Sequence, residues 1–367
     1  MNLVGADASG RKRVLCPLCP QHTVWEDELK RHLAKCRKKP ENRPLEPWRR
    51  VDINLVGQTP AQTLSRDDVD LASWADTLRK LYRDVVEREG ETLETEILNH
   101  PGLEERLKQL ENQKHAVQQA SLIGHMEKHG FLDPRTTIIA EFGCGRGELS
   151  RYISRARALK DMDARQRFLL VDRAGPRMKF DNKLVKDYAE MRGEHNVGGV
   201  VYKRLKVDIK DIVVNAEMLQ ELELAHGDDS ELVIVSKHLC GCATDLTLQL
   251  MLGQRPPQLR GSVIALCCRQ LCSYETYPLA GRRWLQETAG VEGPEAFYAI
   301  SRMTTWVLCG NRGLSDPENE RLGHMARRVI DFGRLHALRE AGYKNSRLVQ
   351  YVDPQVSPEN VCLIVEK

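Results

Sequence analysis

The chain has 367 residues, of which 29% are charged and 5% aromatic, and its formal net charge is +3. That length supports a hydrophobic core without staples, and the composition excludes a collagenous, low-complexity or disulfide-scaffold chain. Eleven cysteines behind a start, MNLVGADASGRKR, that lacks the apolar stretch of a signal peptide read as reduced thiols or metal ligands. No run reaches the length of a membrane span, so no membrane partner is expected, and the expected location is cytoplasm or nucleus.

In chain order, residues 1–10 read as a disordered tail. Residues 11–39 contain CPLCPQHTVWEDELKRHLAKC, with five possible zinc ligands: Cys16, Cys19, His22, His32 and Cys36. A structural zinc takes four. His32 and Cys36 are one turn apart on a predicted helix, so both can grip one ion. Cys16 with Cys19, His32 and Cys36 gives C-x2-C-x12-H-x3-C, an ordinary finger spacing. Residues 11–50 carry twelve Lys/Arg against five Asp/Glu, a balance of +7 that leaves the remainder at −4. A basic front on a near-neutral body points to a polyanion as partner.

Residues 40–65, with Pro40, Pro44 and Pro47, read as a stiff Pro-rich linker. Residues 66–134 turn helical. Ser65 or Asp67 can cap a helix whose apolar face holds Leu71, Trp74, Leu78, Leu81 and Val85. A second helix is expected from about Gln113 to His129.

From 135 to 367 short apolar strands alternate with helical segments. TTIIAEF (136–142), RFLLVD (167–172), YKRLKVDI (202–209), ELVIVSK (231–237) and SVIALCC (262–268) are followed by a helix over 318–341 and a closing strand in NVCLIVEK. This rhythm predicts an α/β domain with a parallel, doubly wound, Rossmann-like sheet.

The first of these strands enters EFGCGRGELS, residues 141–150. Gly143, Gly145 and Gly147 open a turn without Cβ atoms, on which a ligand can lie against bare backbone. The spacing is one residue shorter than the dinucleotide fingerprint G-x-G-x-x-G. Glu141 and Glu148 would repel pyrophosphate but attract the sulfonium and ammonium of S-adenosylmethionine. Asp172, ending the second strand, is placed for ribose hydroxyls, and Asp208, after the third, for the adenine amino group. Loop and acids together predict a methyltransferase domain that binds S-adenosylmethionine.

These blocks, with HAVQQASLIGHME, RMKFDNK (177–183), KVDIKD (206–211), SKHLCGCATDL (236–246), ALCC (265–268), IDFGRLHAL (330–338) and SPENVCLIV (357–365), resemble the eukaryotic tRNA 2′-O-methyltransferases that act on nucleotide four of the acceptor stem. The resemblance runs from Cys16 to the C-terminus. It implies a CHHC zinc finger, C-x5-H-x9-H-x3-C, whose ligands are Cys16, His22, His32 and Cys36, with Cys19 spare. It implies S-adenosylmethionine and zinc as cofactors and tRNA as partner. Such relatives usually carry a further Cys/His finger, whereas the fifteen residues before Cys16 hold no Cys or His. They also often have histidines where Arg269 and Gln270 follow Cys268 here.

In an open α/β sheet the reaction occurs at the carboxyl ends of the strands, which places SKHLCGCATD and CCRQLC at the centre. His238 is the first candidate to accept the proton of a 2′-hydroxyl, because neutral imidazole is the common base near neutral pH. Lys237 is the second, to hold a substrate phosphate or lower the hydroxyl's pKa. Gly241 would allow close backbone approach, and Asp245 would cap the next helix. Cys240, Cys242, Cys267, Cys268 and Cys272 are placed by this topology near the strand ends; they read as buried thiols, since their spacing matches no zinc motif, with a second metal as the alternative. Two other functions stay open from sequence: a methyltransferase for a non-RNA substrate, and an RNA- or spliceosome-associated binding protein with an inactive methyltransferase domain.

Overall fold

A computed structural model describes residues 3–6, 10–36, 46–55, 69–87, 93–193, 199–225, 230–307 and 316–367; within these, the side chains of residues 3, 4, 19–22 and 289 fall outside the description. The chain divides into two units, Met1–Glu46 and Pro47–Lys367.

In the first unit β1 (Leu3–Ala6), β2 (Lys12–Cys16) and β3 (Cys19–Trp25) form an antiparallel sheet, followed by α1 (Leu29–Lys35). The expected disordered tail over 1–10 is therefore corrected at residues 3–6. They pair with β2, Leu3 opposite Val14 and Ala6 opposite Lys12, and cover an edge that would otherwise leave unpaired N–H and C=O groups.

The second unit opens on a segment assigned from sequence to a linker. Residues 47–55 are instead stitched to the body: Val213 N donates to Trp48 O at 2.8 Å and Arg50 N to Asp211 O at 2.8 Å. Asn54, 2% exposed, donates through Nδ2 to Ile209 O and Ile212 O at 2.6 and 2.9 Å. Pro40, Pro44, Ser65 and Asp67 lie outside the described residues.

Helix α2 (Ala75–Tyr82) buries Leu78 and Leu81, and Val85 beyond it is also buried. A short extended piece, β4 (Glu94–Thr95), precedes α3 (Glu104–Gln109) and α4 (Lys114–Lys128). The 66–134 stretch is thus not wholly helical, because β4 is recruited to a sheet edge.

The remaining elements are β5 (Thr137–Phe142), α5 (Glu148–Lys160), β6 (Gln166–Asp172), α6 (Asp181–Arg192), β7 (Val200–Lys206), α7 (Ala216–Glu221), β8 (Glu231–Cys240), α8 (Cys242–Gly253), β9 (Leu259–Cys267), α9 (Leu279–Ala289), α10 (Gly293–Met303), α11 (Pro317–Glu340), β10 (Arg347–Gln350) and β11 (Val361–Glu366). The sheet order is β4-β10-β11-β9-β8-β5-β6-β7. Strands β5 to β9 run parallel, while β11 is antiparallel to both β9 and β10. The all-parallel expectation fails at this last pair. Residues 351–360 are too few to contain a crossover helix, so β10 and β11 close as antiparallel neighbours. Every residue of β5 is buried, and a hydrophobic cluster fills each face of the sheet.

Strand order reverses between β5 and β8, the position where doubly wound sheets leave a crevice. At the carboxyl end of β8 the register slips between Ser236 and Leu239, so Lys237 and His238 occupy a bulge within the strand and not a loop after it. Gly241 then turns the chain into α8 with φ +48°, and a Cβ there would lie 2.5 Å from the carbonyl carbon of Leu271. The close approach expected at Gly241 is to protein backbone.

A buried ion network ties these turns down. Arg269 Nη2 meets Asp331 at 2.7 Å, and Arg334 meets Asp245 at 2.8 Å and Asp331 at 3.3 Å, with all four side chains at most 1% exposed. Asp245 is an ion-pair partner and not the expected helix cap. Arg269 joins the turn after β9 to α11. Arg334→Met leaves two buried carboxylates undercompensated, so it should lower the unfolding free energy by about 3–5 kcal/mol in urea titration.

Candidate active site

The turn after β5 is fixed by backbone geometry and two acids. Gly143, Gly145 and Gly147 have φ of +63°, +48° and +78°. Around Gly145 no atom lies within 4 Å of where a Cβ would stand, so bare peptide faces open space. Asp172, at the carboxyl end of β6, accepts from Gly145 N at 2.8 Å and from Ala174 N at 2.7 Å. Behind the turn, Arg204 of β7 donates from Nη1 to Gly145 O and Cys144 Sγ at 2.9 and 3.0 Å. Its Nε and Nη2 grip Asp181 of α6 at 2.8 and 2.6 Å.

Glu141 is buried at the amino end of α5, where its Oε2 accepts from Ser150 N at 3.0 Å and from Ser150 Oγ. Burial pushes its pKa up to about 7, against the pull of Ser150, Arg204 and Lys237. Asp208 lies two residues beyond β7 and caps a short turn through Lys210 N at 3.1 Å. Of the acids singled out from sequence, Asp172 is bonded to the cradle itself, Glu141 to Ser150 in the first turn of α5, and Asp208 stands just beyond the next strand.

Lys237 is buried in the β8 bulge, and its Nζ is hydrogen-bonded with His115 Nδ1 at 2.9 Å. Burial lowers the Lys237 pKa to about 8, opposed by Glu148 and Glu141. The exposed ring of His238 stands edge-on to His115 with centroids 5.7 Å apart. Crowding by protein atoms, then the charges of Lys237 and His115, lower its pKa to about 4. His115 is itself lowered, first by Lys237 and then by burial.

Both base candidates read from the sequence, His238 and Lys237, therefore stand at the switch point with lowered pKa values. A group with pKa near 4 is neutral at pH 7 but a weak proton acceptor, whereas one near 8 is close to the working optimum. Sequence reading missed His115, Arg204 and Asp181. His115 comes from α4, far away in the chain, and Arg204 is one of three basic residues in β7 (VVYKRLK), which the sequence does not tell apart.

In the first unit Cys16, His32 and Cys36 bring their ligand atoms within 4.8 Å of one another. His32 Nε2 is 3.2 Å from Cys16 Sγ, and the two sulfurs are 3.8 Å apart. The side chains of His22 and Cys19 lie outside the described residues. The three gathered donors fit a tetrahedral zinc lacking only its fourth ligand. Around it, Lys12, Arg13, Lys30, Arg31 and Lys35 are exposed.

A Rossmann-like sheet with an acid-flanked glycine cradle at its switch point, joined to a small Cys/His module, defines an S-adenosylmethionine-dependent methyltransferase with an N-terminal zinc finger. The family model of methyltransferase TRM13 matches residues 117–320 and 311–366, and that of the U11-48K-like CHHC zinc finger matches residues 13–37. The chain belongs to the TRM13 methyltransferase family. Three proteins named tRNA:m(4)X modification enzyme TRM13 are similar along nearly all of it. The one from Yarrowia lipolytica is 42% identical, covering 98% of this chain and 82% of its own. That from Saccharomyces cerevisiae is 33% identical over 97% and 85%, and that from Schizosaccharomyces pombe 31% over 97% and 96%. Among solved structures, the plantazolicin methyltransferase BpumL in complex with a desmethylPZN analog and SAH overlays at TM-score 0.29 and 10% identity, covering 81% of this chain and 99% of that one. No helix among the described residues is long and apolar enough to cross a membrane.

The raised pKa of Glu141 has a thermodynamic signature. Its folded-state value near 7 exceeds the ordinary 4.5 of a glutamate, so its contribution is fully present below pH 4.5 and lost as pH rises through 7. Glu141→Gln should therefore gain on the wild type by up to about 3 kcal/mol between pH 4 and pH 8, while losing affinity for S-adenosylmethionine. Urea unfolding across that range and calorimetric cofactor titration test both halves.

Proposed function

We propose that this protein is a tRNA 2′-O-methyltransferase that moves a methyl group from S-adenosylmethionine to a ribose 2′-hydroxyl in the acceptor stem, at nucleotide four. The observation that carries the reading is a buried lysine of lowered pKa at the switch point, beside a glycine cradle. A ring nitrogen with a free lone pair can take a methyl without help, but a hydroxyl must lose a proton. The name borne by the relatives, tRNA:m(4)X modification enzyme, supports tRNA and position four.

Bound S-adenosylmethionine supplies a methyl group activated by its sulfonium. Gly143, Gly145 and Gly147 give it bare backbone, Asp172 is the candidate for its ribose and Asp208 for its adenine, and Glu141 and Glu148 favour its positive charge. Lys237, neutral above pH 8, accepts the hydroxyl proton at Nζ. Glu141 and Glu148 stabilise the ammonium that results, and His115 orients the amine through Nδ1. His238 at the rim serves as a neutral hydrogen-bonding group. In the finger, Cys16, His22, His32 and Cys36 hold zinc; the matched CHHC description and the three gathered donors support that set. Its exposed Lys and Arg side chains suit phosphates of an A-form stem, which is recognised by shape and backbone.

Whole tRNA methylated with labelled cofactor and then hydrolysed in alkali tests the reaction. Ribose methylation blocks cleavage at its own phosphodiester, so the label should appear in an alkali-resistant dinucleotide. Label released as ordinary mononucleotide overturns the reading. Failure to bind S-adenosylmethionine would point to the adaptor protein with an inactive domain.

Lys237 makes a separate prediction. Single-turnover rates should rise about tenfold per pH unit below 8 and level off above it. Lys237→Met should cost at least about a hundredfold and abolish that inflection, whereas His238→Ala should keep the profile and most of the rate.

A further inference from the structure

Among the described residues two groups of three ligand atoms lie within 4.8 Å of one another. One is the Cys16–His32–Cys36 set of the finger. The other is Cys240, Cys267 and Cys268, at the carboxyl ends of β8 and β9, which no spacing in the sequence betrays. We propose that these three thiols form a second metal site, taking a thiophilic divalent cation, zinc foremost, with a fourth position open to solvent. The inference is independent of the reaction proposed above.

Geometry carries it. Zinc–thiolate bonds of about 2.3 Å in a tetrahedron set sulfurs about 3.8 Å apart. Cys240 and Cys267 Sγ are 3.5 Å apart, close to the 3.8 Å between Cys16 and Cys36 in the finger. The β8 bulge creates this pairing. With Ser236 opposite Ile264 and Leu239 opposite Leu266, the extra residue brings Cys240 level with Cys267. The third sulfur arrives through strained backbone, since Cys268 holds φ +48° and ψ 47°, a left-handed conformation unusual for a side chain with a Cβ.

The neighbouring thiols are otherwise engaged. Cys242 donates to Leu271 O at 2.8 Å, and Cys272 Sγ receives Arg334 Nη2 at 3.0 Å. The nearby carboxylate of Glu359 is held by Arg269 and by Arg327. Three thiolates with no fourth protein ligand among the described residues is the donor count of an open zinc site. Cys240 is exposed, so the fourth position is accessible to water. A soft, all-sulfur set favours zinc over magnesium or calcium.

The test uses the full chain purified with zinc and without chelator. Elemental analysis should find two zinc per chain, falling to one in Cys240→Ser, to one in Cys268→Ala, and to one in Cys36→Ser. Cobalt substitution should give thiolate charge-transfer absorption that weakens but survives in Cys36→Ser and in Cys240→Ser alone, and is lost when the two are combined. In the unmutated protein, alkylation with peptide mapping should find Cys240 protected by zinc and freed by chelator, a readout that does not depend on a variant folding. A single zinc unaffected by Cys240→Ser, or Cys240 equally reactive with and without zinc, overturns the proposal. So does a Cys240–Cys267 disulfide in place of metal.

Discussion

The cradle of this enzyme depends on one guanidinium. Three left-handed glycines make the turn after β5 accessible to a ligand but leave it with little intrinsic reason to hold one shape. Arg204 removes that freedom. One face of its fork grips Asp181 on α6, and the remaining nitrogen grips Gly145 O and Cys144 Sγ, with both charged side chains about one-tenth exposed. Asp172 completes the hold from the other direction by accepting from Gly145 N. A lysine could not span those partners, because it lacks the planar fork. The ligand surface is therefore set before any ligand arrives.

A second set of charges performs a similar task on the other side of the switch point. Arg269, Asp331, Arg334 and Asp245 are buried together, and hold the turn after β9 and the start of α8 against α11. Such a network contributes little net stability over a well-packed apolar core. What it supplies is position. The bulge carrying Lys237 and His238 lies between two clamped turns, so its unusual register is maintained from both sides.

The strand–helix alternation, the glycine turn and the dense Cys/His cluster were legible because each is a local pattern with one good physical reading. Features that depend on non-local partners were hidden. β1 exists because β2 has an edge to cover, and nothing in LVGA itself demands a strand. Residues 47–55 look like linker by proline content, yet Asn54 finds two carbonyls more than 150 positions away. The inverted β11 follows from a connection too short to cross over, a cue that the strand-like NVCLIVEK does not carry. The bulge in β8 was hidden for a different reason: SKHLC reads equally well as strand or loop, and only pairing to β9 reveals the extra residue.

That bulge also places both candidate bases, Lys237 and His238, in one crowded neighbourhood. Identity alone favours histidine, whose unperturbed pKa lies near neutrality. Environment overrides identity here. Two imidazoles and an ammonium compete for one neighbourhood, and all three are pushed toward their neutral forms. The same desolvation that weakens His238 as a proton acceptor brings Lys237 down from a range where its amine would stay charged. With a cationic cofactor in the cradle the pressure increases in the same direction, since a sulfonium disfavours a second positive charge beside it. A lysine between two carboxylates and a future cation is therefore poised to be neutral when the cofactor is present and charged once it has taken a proton.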